Sequence, residues 1–233
     1  MTDNGLRLVG DNQDLVITDC LAKLQHFIKH DAYPHYDVVG YRFEHEPDRL
    51  RLELRDAMNK AMLARSKRKA WQPFLDIPLD ELAAVPTQVD LIDSNNEEYI
   101  AAREALRSVY ERLTNVTWIT DMAASKMLYL KRPKLVAISD SYIRTALGVK
   151  DPSWSGYSSR GTYYAARGMA VLDAVRAVGL TNKEFLTGLQ RQLDPHRVEK
   201  ARIIDILVWA DMAIPTHPGW SKQACENGWT SIA

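Results

Sequence analysis

The chain has 233 residues, of which 30 are Lys or Arg and 30 are Asp or Glu, so its formal net charge at pH 7 is zero. This balance excludes an overall basic surface for binding polyanions, and any nucleic-acid contact must come from local clusters of charge. Cys20 and Cys225 are too few and too far apart for a disulfide framework or for a metal site of their own. The first residues lack the basic and apolar regions of a signal peptide, and no run approaches the roughly 20 apolar residues that span a bilayer. We therefore expect a soluble cytoplasmic protein with no membrane partner.

Helical periodicity dominates the first half of the chain. Apolar residues three and four positions apart predict helices over 21–28 and 50–62. Residues 95–98, Asn-Asn-Glu-Glu, supply a capped, acid-rich first turn for a helix over 95–113. Val38 to Phe43 instead looks extended.

The second half continues with a helical run over about 118–130, which ends at Lys131-Arg132-Pro133. A short extended run over 135–138 follows, and Ser139-Asp140-Ser141 then opens another helix. Further helices are predicted over about 161–178, 181–193 and 196–211, and the segment 198–209 is apolar nearly all round, as a central helix would be. We expect an all-α fold in which residues 1–233 form one globular unit.

Asp140 is the acid with the most distinctive setting. A carboxylate held at a helix start can stabilise positive charge that develops on a substrate, or activate an attacking water. The sequence Ser139-Asp140-Ser141 is also an ordinary N-cap cluster, and from the residues alone capping is the favoured interpretation.

The order of elements around Asp140 resembles the helix-hairpin-helix DNA glycosylases. Their catalytic-aspartate segment is matched by Ile138, Asp140, Ser141, Ile143 and Arg144, and the small and apolar positions of their packing helix by Ala123, Ala124 and Leu128. The chain also resembles an uncharacterised bacterial family, through the pattern from Lys126 to Ser141 and a later element over 204–209.

Two departures from the glycosylase pattern bear on mechanism. The segment 114–120 contains no glycine, although the family has a glycine-rich, phosphate-binding hairpin there. The lysine of bifunctional members is replaced by Asp121-Met122, and Lys126 lies about one turn further along. The resemblance therefore implies a monofunctional hydrolase without Schiff-base chemistry.

The resemblance implies a fold, a reaction and a partner. The fold would have two helical lobes and a cleft, with residues 100–150 forming the lobe that carries Asp140. The protein would act as a monomer on double-stranded DNA with a flipped base, and would hydrolyse an N-glycosidic bond without a metal or an organic cofactor. The departures favour an unusual base, for example a bulky modified cytosine of phage DNA, and hence a role in phage defence. The alternative is a non-enzymatic helical DNA-binding or interaction protein that retains the fold.

Local clusters of charge and aromatic residues are the candidate DNA contacts. Phosphate binding needs local positive charge, and the alternative is a solvated helix end. Stacking on aromatic rings holds flipped bases, and the alternative is a packed interhelical loop. The candidate phosphate contacts are Lys67, Arg68, Lys126, Lys131, Arg132, Lys134, Ser141 and Arg144, and the candidate base contacts are Trp154, Tyr157 and Tyr163.

Acidic and histidine side chains elsewhere show no metal-ligand spacing. Asp205 lies on the apolar helix predicted over 196–211, and we expect it to be a buried structural acid.

Overall fold

The computed structural model describes residues 5–9, 14–30, 36–61, 68–215, 222, 225 and 226. This part of the chain is mainly helical, which confirms the predicted all-α class. The helices are α1 Cys20–His30, α2 Asp37–Tyr41, α3 Leu52–Ala61, α4 Arg68–Trp71, α5 Asp80–Ala83, α6 Asn96–Thr114, α7 Asp121–Tyr129, α8 Ser141–Ala146, α9 Arg160–Thr181, α10 Lys183–Gln192 and α11 Lys200–Ala213.

A small antiparallel hairpin precedes the helices, and sequence reasoning missed it. Strand β1, Leu6–Val9, pairs with strand β2, Asp14–Ile17. The side chain of Asn182, at the junction of α9 and α10, accepts a hydrogen bond from the Arg7 amide at 3.0 Å and donates one to the Arg7 carbonyl at 2.8 Å. These bonds pair the backbone amide and carbonyl of Arg7 at one edge of the hairpin, and they attach the hairpin to the helices.

Neither stretch that looked extended forms a strand. Residues 37–41 form helix α2, whose Gly40 packs so closely on Leu130 that a Cβ there would lie 2.9 Å from the Leu130 Cδ2 atom. Residues 135–138 follow a turn, in which the amides of Leu135 and Val136 donate to the Arg132 carbonyl at 3.0 and 2.9 Å. The apolar and β-branched residues of both stretches therefore reflect burial or close packing rather than strand pairing.

Helix α11 is the central helix, as its apolar sequence predicts. It packs against α1, α8, α9 and α10, and its apolar side chains from Ala201 to Ala210 are buried, with Trp209 packed against the same core. Four charged side chains of this helix are buried as well: Lys200, Arg202, Asp205 and Asp211. Such groups need partners inside the protein, because an unpaired buried charge is costly.

The long helices α6 and α9 form the most extensive helix pair. Helix α6 begins with the predicted capping box, in which the Asn95 side chain accepts from the Glu98 amide at 2.9 Å and Glu98 accepts from the Asn95 amide at 3.2 Å. The two helices approach closely at Gly168, where a Cβ would lie 2.7 Å from the Cε1 atom of the buried Tyr110 ring.

We predict that Gly168→Ala destabilises the protein, although alanine favours helices by about 1 kcal/mol over glycine. The added methyl group overpacks the α6–α9 contact, which costs about 1–3 kcal/mol in a tight core. Gly188→Ala in α10 is the matched control, because nothing lies within 4 Å of a Cβ there, and this change should be neutral or stabilising. Urea unfolding measures both effects, and equal stabilisation by the two changes would contradict the prediction.

Candidate functional site

Asp140 occupies the N-cap position of α8, as the sequence predicts. Its Oδ1 atom accepts a hydrogen bond from the Ile143 amide at 3.0 Å, and the residue is 8% exposed. No described residue forms a hydrogen bond with its Oδ2 atom. The cap therefore fixes the orientation of the carboxyl group through one oxygen and leaves the second for other contacts.

Two further buried ionisable groups share the surroundings of Asp140. Lys126 comes from α7 and Asp205 from α11, and both are buried. Burial lowers the pKa of Lys126, while the nearby Asp140 and Asp205 act against this change. Burial also raises the pKa of Asp205 to about 7; Arg202 opposes this rise and Asp140 adds to it. Asp205 is thus the buried acid that the sequence predicts.

Arg202 carries the central positive charge of this buried group. Its Nε and Nη2 atoms donate to the two carboxylate oxygens of Asp37 at 2.9 and 3.0 Å, and its Nη1 atom donates to Asp205. Its guanidinium carbon lies 5.3, 5.4 and 5.5 Å from the ring centroids of Phe27, Tyr36 and Tyr129. Two-pronged pairing and contact with aromatic faces are the interactions that best stabilise a buried arginine.

Asp121 is the fully buried acid that joins the starts of α7 and α8 to α9. It accepts hydrogen bonds from the Ser139 hydroxyl and from Arg167, and Arg144 Nη1 lies 3.6 Å from its Oδ2 atom. Arg144 also lies 3.6 Å from Asp151. Asp121 therefore has a structural role, and the Arg144 guanidinium lies close to two acids.

The predicted base contacts belong to one cluster of rings, the aromatic patch, which consists of Trp154, Tyr157, Tyr163 and Tyr164. The Tyr163 ring centroid lies 4.5 Å from that of Trp154, 5.6 Å from that of Tyr157 and 5.1 Å from that of Tyr164. Trp154 is 54% exposed, so its indole is available to a partner. The loop is thus partly packed on itself and partly open.

Two arginines border the aromatic patch: Arg160, which lies within the segment that the sequence predicts for base recognition, and Arg167, which sequence reasoning missed. Arg167 lies 5.6 Å above the Tyr163 ring and 4.9 Å above the Tyr164 ring, and Arg160 lies 4.6 Å above the Tyr164 ring. The spacing of residues 160, 163, 164 and 167 along α9 predicts one helix face, and this signal was present in the sequence. Because Arg167 also donates to Asp121, the patch is connected to the segment that carries Asp140.

The structure corrects the prediction that Lys131 and Arg132 contact DNA, because both are buried. Arg132 is 1% exposed and donates to the carbonyls of Val85 at 2.7 Å and Leu82 at 2.5 Å. It also donates to the Pro47 carbonyl and, at 2.7 Å, to the Asp48 carboxylate. The Lys131 ammonium donates to the carbonyls of Phe43 at 3.2 Å and Glu46 at 2.8 Å.

The other predicted phosphate contacts differ in their exposure to solvent. Lys126 is buried beside Asp140, whereas Arg68, Lys134 and Ser141 are exposed. Lys67 lies outside the described residues. Of the predicted basic cluster around α7, only Lys134 therefore presents its charge to solvent.

Comparison with known proteins gives a family for this chain. A family model described as a family of unknown function, DUF6308, matches residues 30–212. The chain belongs to DUF6308. The match extends from the end of α1 to α11 and contains the buried charges, Asp140 and the aromatic patch. No curated protein and no solved structure matches the chain.

Two features of the described residues concern membrane and metal partners. No described helix is both long enough and apolar enough to cross a membrane. Within the described ranges, no three His, Cys, Asp or Glu side chains come together in a way that could hold a metal ion.

We predict that Arg132→Met destabilises this DUF6308 protein by about 3–5 kcal/mol, because it leaves buried carbonyls and the Asp48 carboxylate without their donor. Arg68→Met is the control, since Arg68 is exposed, and it should change the free energy of unfolding by no more than about 0.5 kcal/mol. Urea unfolding compares the two. If both changes lower the free energy of unfolding by similar, small amounts, the hydrogen bonds of Arg132 do not stabilise the fold as predicted.

Proposed function

We propose that this DUF6308 protein is a monofunctional DNA N-glycosylase, which hydrolyses the N-glycosidic bond of a modified base and leaves an abasic site. The observation that carries the proposal is the setting of Asp140. This acid is nearly buried, is oriented by the Ile143 amide through one oxygen, and keeps its second oxygen without a hydrogen bond from the described residues. Membership of DUF6308 supplies no activity, so the proposal rests on this geometry and on the glycosylase-like sequence around it.

Asp140 would act on the sugar from which the base departs. Loss of a base builds positive charge on the deoxyribose, and a fixed carboxylate stabilises that charge or activates the attacking water. A carboxylate that is already oriented needs little reorganisation as the charge develops. Lys126 and Asp205 surround Asp140 with ionisable groups, so its electrostatic environment is set by the core rather than by solvent.

The aromatic patch would receive the flipped base in the proposed complex with double-stranded DNA. Base recognition outside the duplex uses stacking on rings and hydrogen bonds to polar edges. Trp154 offers an exposed ring, and Arg160 and Arg167 lie over the neighbouring Tyr164 and Tyr163 rings. Exposed groups such as Lys134 and Arg68 remain the candidate phosphate contacts.

The proposal includes the finer architecture and biology that the resemblance implies. Residues 100–150 would form the lobe that carries Asp140, and a cleft would separate it from a second lobe. The excised base would be unusual, for example a bulky modified cytosine of phage DNA, and the protein would serve in phage defence as a cytoplasmic monomer.

A non-enzymatic DNA-binding or interaction protein is the second candidate. One observation favours it: Asp140 already has a structural role, because its Oδ1 atom caps α8. Replacement of the Asp140 carboxylate by an amide separates the two candidates. The amide can still cap α8, but it lacks the negative charge that a catalytic role requires.

We predict that Asp140→Asn abolishes base release while the fold and DNA binding remain. Asparagine caps helices about as well as aspartate, so the hydrogen bond to the Ile143 amide can be kept. The amide carries no negative charge, however, and cannot stabilise the sugar cation or act as a base. Base release is measured as alkali-labile abasic sites in defined duplexes with modified and unmodified bases.

Asp80→Asn is the control for this change, because Asp80 is an exposed acid in the first turn of α5. It should retain full activity. Wild-type activity in Asp140→Asn would remove Asp140 from the mechanism. Unfolding of that variant would favour the capping role alone, and no base release by the wild type from any duplex would favour the non-enzymatic candidate.

A second prediction concerns Trp154→Ala, which should reduce base release more than overall DNA binding. Loss of a stacking platform costs about 1–3 kcal/mol per base, whereas phosphate contacts are untouched. Trp118→Ala is the matched control, because Trp118 is 57% exposed and lies outside the aromatic patch. Single-turnover base release and equilibrium DNA binding are compared for both variants. Equal losses in release and binding, or equal effects of the two changes, would exclude the aromatic patch as the base-binding surface.

A further inference from the structure

Asp151 is an exposed acid at which two arginines from different helices meet. Arg167 Nη1 lies 3.3 Å from its Oδ1 atom, and Arg144 Nε lies 3.6 Å from the same oxygen. Arg167 belongs to α9 and lies over two rings of the aromatic patch, whereas Arg144 belongs to α8, the helix that Asp140 caps. Asp151 therefore links the aromatic patch to the helix of the proposed catalytic acid.

The two arginines and two acids form a closed cluster of alternating charge, because both arginines also approach the buried Asp121. The cluster is neutral as a whole, but its members differ in exposure. The side chains of Arg144 and Arg167 are 18% and 13% exposed, whereas that of Asp151 is 56% exposed. The charged group that the cluster presents to a ligand is therefore the Asp151 carboxylate rather than a guanidinium.

One oxygen of the Asp151 carboxylate remains for a ligand. No described residue forms a hydrogen bond with its Oδ2 atom, since the arginine contacts are made through Oδ1. An ionised carboxylate has only acceptor atoms. Asp151 therefore suits a ligand whose polar edge carries an N–H donor.

The aromatic patch supplies a stacking surface beside this acceptor. Trp154 follows Asp151 by three residues, is 54% exposed, and has its ring centroid 4.5 Å from that of Tyr163. Arg167 lies 5.6 Å from the Tyr163 ring centroid and also binds Asp151, so the carboxylate lies at the border of the patch. A base that stacks on these rings can turn its hydrogen-bonding edge toward the carboxylate.

Bases differ in the group that they carry on this edge. Cytosine and adenine have an exocyclic amino group, which donates hydrogen bonds, whereas uracil and hypoxanthine have a carbonyl oxygen at the same ring position. Aspartate accepts a hydrogen bond from the cytosine amino group in direct base recognition. A carbonyl oxygen in that place would instead be repelled by the carboxylate. Asp151 can therefore distinguish bases of nearly the same shape.

We propose that Asp151 selects bases that carry an exocyclic amino group, by accepting a hydrogen bond from this group while the ring stacks on the aromatic patch. This inference deepens the proposed function and rests on its assignment of the patch as the base-binding surface. It names an amino-bearing base as the substrate and Asp151 as the residue that determines specificity.

Binding of single-stranded oligodeoxycytidine and oligodeoxyuridine tests the selection on the full chain. The two probes have equal length and charge, and their bases are free to stack, so phosphate contacts contribute alike at a fixed salt concentration. At pH 7.5 the wild type should bind oligodeoxycytidine at least about tenfold more tightly. Equal affinities for the two probes would overturn the proposal.

Two variants test the role of Asp151 in this preference. Asp151→Asn and Asp151→Ser should each reduce the ratio of the two affinities to less than about threefold, because their side chains donate as well as accept. Asp173→Asn is the matched control, since Asp173 is also an exposed acid that is bound to an arginine, Arg103, and it lies further along α9.

Each of these changes removes one negative charge, so a general gain in affinity for DNA should be the same in all three. The wild-type ratio should remain in Asp173→Asn. An unchanged ratio in the folded Asp151 variants, or an equal loss in the control, would overturn the role of Asp151.

Duplexes with 5-hydroxymethylcytosine or 5-hydroxymethyluracil separate this inference from the proposed function. Each base is placed opposite an abasic analogue, so that the strength of base pairing does not differ. Release of the cytosine derivative at least about tenfold faster would support both proposals. Equal release of the two would overturn selection by Asp151 and leave the glycosylase proposal standing. Cytosine-selective binding without release of any base would support selection by Asp151 and contradict the glycosylase activity.

Discussion

The positive charge of Arg202 on the central helix is the constraint around which much of the core is arranged. Helix α11 is buried on almost every side, so this guanidinium has to be compensated by other parts of the chain. Asp37, at the start of α2, supplies the two-pronged ion pair, and three aromatic rings surround the guanidinium. Loss of Arg202 would leave the buried acids Asp37 and Asp205 without this cation, which is far more costly than loss of an exposed pair.

The same buried charges extend from Asp37 to Asp140. Asp37 binds Arg202, Arg202 contacts Asp205, and Asp205 interacts electrostatically with Asp140. The group of Asp37, Asp140, Asp205, Lys126 and Arg202 has one more acid than base, which agrees with the raised pKa of Asp205. A change of charge at any of these positions would therefore act on the others, because screening by water is weak in the core.

Basic side chains in this DUF6308 protein serve the interior as much as the surface. Arg132 and Lys131 follow α7, and both donate hydrogen bonds to backbone carbonyls. Arg132 binds those of Leu82 and Val85, and Lys131 binds those of Phe43 and Glu46. A lysine or arginine after a helix can bind carbonyl groups or remain in solvent, and the local sequence is the same in both cases. Under the proposed function, phosphate contacts would therefore have to come from exposed groups such as Lys134 and Arg68.

The sequence by itself determined the features that depend on neighbouring residues. Period 3.6 patterns, the capping box of α6, the Asp140 cap and the central apolar helix all involve groups within a few turns of one another. Tertiary structure alone decided that residues 37–41 form a helix, that Arg132 is buried, and that Arg202 pairs with Asp37 across 165 positions of sequence. Burial and ion pairing depend on which segments meet in space, and contacts between distant segments leave no periodic signal in one chain. For this reason the sequence could identify Asp140 as a helix cap but could not show the buried charges that surround it.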